Sequence, residues 1–134
     1  GLNNNSYFPT NHDIRHSLSL NTSVEVNQFN FAIAGNWHTG KPFTSINATN
    51  PLQTNSVINF NTVNSSNLKN YFRVDFSINY TFKFKGRIGL SIWNLLDTKN
   101  ILNTYYNLDE NNFIKTINTN SLRLTPNISF RVNF

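Results

Sequence analysis

The side chains in this chain that could do chemistry are few, and their spacing builds no catalytic set. There are three histidines, six acidic residues and no cysteine, so thiol catalysis and disulfides are excluded. His12, His16 and His38 are far apart in the pattern. His12 beside Asp13 is the nearest approach to a metal-ligand pair, and no metal or other cofactor is expected there. Asp97, Asp109 and Glu110 fall in polar connections, whereas paired-carboxylate catalysis needs a preformed cleft. No enzyme is expected. Asn-x-Ser/Thr triplets begin at Asn4, Asn21, Asn47, Asn64, Asn79 and Asn127, and an asparagine-rich chain generates them by chance, so glycosylation is discounted.

Six charged residues point elsewhere. Asp13, Arg15, Arg73, Asp75, Arg123 and Arg131 each occupy the polar phase of an alternating stretch. On strands they would share one face, where a charge taken out of bulk water needs a partner. Cross-strand pairing, or contact with another body inside a polar lumen, would supply one.

Composition narrows the class. The net charge of +5 suggests nucleic acid. Yet Arg15, Arg73, Arg87, Arg123 and Arg131 are scattered singly, and only Lys83, Lys85 and Arg87 cluster, in a turn-like segment. No nucleic-acid partner is expected. Phe occurs twelve times while charged residues make up 13%. Asn supplies about a fifth of the chain, far above ordinary usage, for which base composition is the simplest source. No stretch approaches the roughly 18 apolar residues of a membrane helix, which leaves a barrel open because barrel strands carry a weaker signal. The chain opens on Gly1 with no Met or apolar leader, so a signal peptide is expected to have been removed or to lie upstream.

The elements that must position these residues show a period of two. Over 14–26, Ile14, His16, Leu18, Leu20, Thr22, Val24 and Val26 alternate with Arg15, Ser17, Ser19, Asn21, Ser23 and Glu25. A two-residue turn at 27–28 leads to a second strand with Phe29, Phe31, Ile33 and Trp37 on one face, which forces an antiparallel hairpin. Residues 40–70 show little periodicity and read as a long loop. The third strand sets Phe72, Val74, Phe76, Ile78, Tyr80 and Phe82 against Arg73, Asp75, Ser77, Asn79 and Thr81. A short turn at 83–86 precedes a fourth strand, 87–94. The connection 95–120 is long again, with a hairpin of 101–108 and 113–117 turning at 109–112. A fifth strand, 122–134, alternates to the end.

Three features favour a membrane barrel over a soluble β-sandwich. The strands, about 8–14 residues, reach the length that crosses a bilayer. Short and long connections alternate strictly, as when all loops of one side face outward. Aromatics of the apolar phase, Phe29, Trp37, Phe72, Tyr80, Phe82 and Phe134, fall near strand ends, where interfacial girdles sit. The expected fold is therefore all-β, with residues 1–134 forming about five C-terminal antiparallel strands of a larger transmembrane barrel. The short turns and the C-terminus are expected in the periplasm and the long loops outside. Open sheet edges do not occur in lipid, so further strands are expected upstream.

Several segments, in order, resemble the C-terminal end of a TonB-dependent outer-membrane receptor of the SusC-like or related carboxypeptidase-regulatory-domain type. They are Asn11-His12-Asp13-Ile14-Arg15-His16, Trp37-His38-Thr39-Gly40-Lys41-Pro42-Phe43-Thr44, Tyr71 to Tyr80, Leu90-Ser91-Ile92-Trp93-Asn94-Leu95-Leu96-Asp97-Thr98-Lys99-Asn100, and Pro126 to Phe134. The resemblance implies a barrel of about 22 strands around a plug, with uptake driven by the inner-membrane TonB complex. It implies import of a scarce nutrient, of siderophore, glycan, peptide or vitamin class, into the periplasm. The implied partners are the remaining strands and plug of the same receptor, outer-membrane lipid, TonB through an N-terminal part outside this chain, and a surface lipoprotein. The alternatives are a smaller barrel, porin or adhesin, and a soluble secreted β-sandwich binding module.

Overall fold

Strict alternation commits a segment to one buried and one wet face, and the loop lengths decide which strands meet. The computed structural model describes residues 9–52, 57–83 and 85–133, and among these every regular element is a β-strand in an antiparallel pair. Strands β1 (Ser17–Val26) and β2 (Phe29–His38) form a hairpin in which Val26 faces Phe29, so that only Asn27 and Gln28 turn the chain. Asn27 takes φ 55°, a conformation that asparagine tolerates better than most residues. The two-residue strands β3 (Pro42–Phe43) and β4 (Ser66–Asn67) pair within the next connection. Strands β5 (Tyr71–Phe82) and β6 (Gly86–Trp93) are joined through residues 83–85, and Lys85 closes that turn at φ 58°. Strands β7 (Ile101–Leu108) and β8 (Ile114–Asn120) form a further hairpin before β9 (Thr125–Val132).

The chain divides into two units. The sheet unit comprises His16–His38, Tyr71–Asn100 and Ser121–Phe134; it holds a five-stranded sheet in the order β1-β2-β5-β6-β9. Its register stacks like with like. Val24, Phe31, Ile78, Leu90 and Ile128 run side by side across all five strands, and the neighbouring row is Ser23, Ala32, Ser77, Ser91 and Asn127. One face is thus apolar and the other polar. Gly89 belongs to the polar face, where a Cβ would come within 2.5 Å of Asn79 Oδ1 and 2.7 Å of Ser129 Oγ.

The loop unit comprises Gly1–Arg15, Thr39–Asn70 and Ile101–Asn120. It is tied by asparagine side chains as much as by strand ladders. Asn47 Oδ1 accepts from the N–H groups of Thr49 and Asn50, and Asn61 Nδ2 donates to Ser45 Oγ and the Ile46 carbonyl. Gly40 is required there, because a Cβ would lie 1.7 Å from the Leu68 carbonyl oxygen.

Three boundaries depart from what alternation alone predicts. The first strand starts at Ser17, not 14, so Asp13 and Arg15 precede it. The two-residue turn would set residue 14 opposite residue 41, but beyond His38 the chain binds elsewhere: Gly40 N–H donates to Asn70 Oδ1 and the Lys41 carbonyl accepts from Leu68. The fifth strand starts at Thr125, not 122, so Arg123 also lies outside a strand. Residues 40–70 are not bare loop: besides β3 and β4, Ile46 bridges Phe60 and Leu52 bridges Ile58.

Candidate functional site

The sheet unit's apolar face is uncovered. Among the described residues Pro42 is buried but no large apolar side chain is, and Leu20, Ile128 and Phe130 are 69%, 79% and 68% exposed. Burying a side chain of this size is worth about 1.5–3 kcal/mol, so a bare face of five strands calls for a cover.

Aromatic rings collect at the two ends of this face. At the short-turn end, Phe29 and Tyr80 have ring centroids 4.8 Å apart and Tyr80 and Phe82 meet edge-on at 5.0 Å. The Tyr80 hydroxyl reaches the turn and lies 3.3 Å from Gln28 Oε1, the arrangement of a ring with one apolar and one wet end. At the other end Trp37 and Phe72 are cross-strand partners. Phe134 lies outside the described residues.

The polar face carries three of the six charges singled out in the sequence. Arg73 Nε donates to Asp75 Oδ1 at 2.7 Å, and the same oxygen accepts the Asn94 N–H at 2.8 Å. The Arg73 guanidinium also lies 5.7 Å from the centre of the Trp93 ring. Arg131 stands directly opposite Arg87. The other three charges lie off the strands. Asp13 and Arg15 pair loosely at 3.7 Å. Arg123 grips Asp97 with two bonds, Nε to Oδ1 at 2.7 Å and Nη2 to Oδ2 at 2.6 Å. That guanidinium, helped by the Leu124 N–H, holds the Asp97 carboxyl well below the usual carboxylate range, and Asp97 raises Arg123 in turn.

The turn after β6 holds what alternation could not show. Asn94 and Asn100 are 0% and 2% exposed, the most buried side chains among the described residues. Asn94 Nδ2 donates to the carbonyls of Thr98 and Leu122, and its Oδ1 accepts the Thr98 N–H. Asn100 caps β5 by bonding both the N–H and the carbonyl of Phe72. Asp97 takes the Leu124 N–H. Asn94, Asp97 and Asn100, spaced by three, thus fasten β5 to the segment entering β9. That spacing is the signal the sequence offered. Asn94 and Asp97 adopt φ 52° and 51°.

This geometry can bind, orient and seal. Among the described residues no group of three His, Cys, Asp or Glu side chains could hold a metal ion. Compared with protein-family models, curated proteins and solved structures, the chain matches none.

Proposed function

We propose that this chain is the closing part of the barrel of a TonB-dependent outer-membrane transporter that imports a scarce nutrient into the periplasm. One observation carries the membrane part of this reading: a largely apolar face across five strands, with no cover among the described residues, backed by a largely polar face. Lipid outside and a wet lumen inside satisfy both faces at once. A second sheet would cover the apolar face of a sandwich equally well, but it would not account for aromatics at both of its ends. The long connections support the assignment of sides, since both leave the end of the sheet where His38 pairs with Tyr71 and Trp93 with Thr125. The coupling to TonB, the plug and the surface lipoprotein come from the family resemblance.

Two measurements test it. Single cysteines at Asn111 and Lys85 should separate on whole cells: an impermeant thiol reagent should label the first and spare the second. Labelling of Lys85 alone would reverse the orientation. The gene upstream decides between transporter and small barrel. A plug domain several hundred residues before Gly1 supports the transporter, whereas a signal peptide only about 100 residues upstream leaves room for a small barrel alone.

A further inference from the structure

We propose that the short-turn end of the sheet unit carries a binding site for an anionic phospholipid, with the phosphate on a cluster of cations and an acyl chain on the apolar face. The site goes beyond the transporter reading and rests on its membrane part, which sets this end of the sheet at one surface of the bilayer. Lys83 and Lys85 stand in the turn between β5 and β6, and Arg87 and Arg131 face each other as cross-strand partners. Like charges directly opposite are destabilising unless an anion joins them. Among the described residues none of these four cations forms an ion pair, whereas at the other end of the sheet Arg73 is paired with Asp75 and Arg123 with Asp97. Glu25 is the one carboxylate at the short-turn end among the described residues, and its Oε1 accepts from Asn30 Nδ2 at 3.2 Å.

Two cavities connect these cations to the apolar face. One, of about 290 Å3, lies over the rim of the sheet and is lined by Lys83 and Arg87 together with Glu25, Gln28, Phe29 and Phe82. The other, of about 300 Å3, lies on the apolar face against Ile78, Tyr80, Ile88, Leu90 and Ile128. Phe29 lines both, and Tyr80 extends its hydroxyl from the second toward Gln28 in the first. A ligand that fills both is anionic at one end and hydrocarbon at the other. A free anion has no use for the apolar cavity, and an acidic peptide would stay on the polar face with Arg87 and Arg131. Guanidinium and phosphate form charge-assisted hydrogen bonds, and each cation at a membrane surface adds to the attraction of anionic lipid. A headgroup with a cationic group of its own cancels part of that attraction, so phosphatidylglycerol should be preferred to phosphatidylcholine.

The test counts lipids bound to the full-length protein in detergent by native mass spectrometry, with phosphatidylglycerol and phosphatidylcholine of the same acyl chains. Phosphatidylglycerol should bind about five-fold more tightly or better. Lys83→Gln and Arg87→Gln should each weaken it about five-fold and leave phosphatidylcholine unchanged. Arg87→Lys should retain most of the binding, Phe29→Ala should weaken both lipids, and Lys115→Gln in β8 should change neither. Heat-modifiable mobility shows in parallel whether each variant has formed its barrel. Equal binding of the two lipids by a formed barrel overturns the site and leaves the transporter standing. So does a loss in Lys115→Gln as large as in Arg87→Gln. Displacement of phosphatidylglycerol by an equal concentration of inorganic phosphate, or of an oligoglutamate peptide, would also overturn it, and would assign the cations to a free anion or to an acidic polypeptide. A protein that stays soluble without detergent and forms no barrel would remove the membrane reading and the site with it.

Discussion

The five-stranded sheet and the turn at 94–100 distribute polarity in opposite ways. In the sheet, Leu20, Ile128 and Phe130 face outward, uncovered. In the turn, Asn94 and Asn100 are sealed from solvent and held by hydrogen bonds to backbone. A water-soluble domain inverts this arrangement, with apolar side chains inside and amides outside. The contrast teaches that the sheet's order comes from backbone ladders and its surroundings, whereas its end is held by side-chain amides. Hydrogen bonds shielded from water are costly to leave unmade, so the few asparagines at the turn should matter more, residue for residue, than any one leucine on the bare face.

The largest effect is expected at Asn94. Asn94→Ala strands two carbonyls and one N–H and forces alanine to φ 52°, so it should cost about 3 kcal/mol or more. Asn94→Gly should recover only the backbone part. Both variants can be followed by equilibrium unfolding in detergent, and a cost below about 1 kcal/mol for each would dissolve the contrast. Next comes the parity of β5. Ile78→Arg should cost roughly 2–4 kcal/mol if the apolar face meets lipid, and Ser77→Arg less. Equal tolerance at the two positions would erase the distinction between faces.

The smallest effect concerns pH. The Asp97 carboxyl, exposed and paired with Arg123, titrates below its unfolded value of about 4. A depressed folded value means that the pair's contribution is complete above the unfolded value and drains away as pH falls through the folded one. The unfolding midpoint should therefore be level from about pH 8 to about pH 5, and its decline below about pH 4 should be shallower in Asp97→Asn. An identical acid limb in the variant would show that the turn owes nothing to this carboxylate.

Alternation by itself makes the sheet legible. The turn at 27–28, the parity of β5 and the β7–β8 hairpin all follow from where apolar residues recur and where they stop. Alternation fails at Leu122 and Arg123, because it continues past the point where the ladder ends. There the Leu122 carbonyl is bound by Asn94, and the Leu124 N–H by Asp97, in place of a neighbouring strand. The same holds for 40–70, where Asn47 and Asn61 tie a stretch without periodicity. Polar side chains that bond to backbone leave no periodic trace, so the asparagine excess looks like compositional bias although part of it holds the fold. The contact of the Phe60 and Tyr106 rings is illegible for a further reason: it needs residues about 46 positions apart brought together by two separate connections.

Lipid contact at the apolar face can be read directly by attaching a fluorophore to single cysteines along adjacent rows and quenching it with brominated lipid in reconstituted membranes. Quenching should be strong at Ile33 and Ile78 and weak at their neighbours Ala32 and Ser77. Equal quenching within each pair, or the reverse order, would contradict the claim that this sheet turns one face to lipid and the other to water.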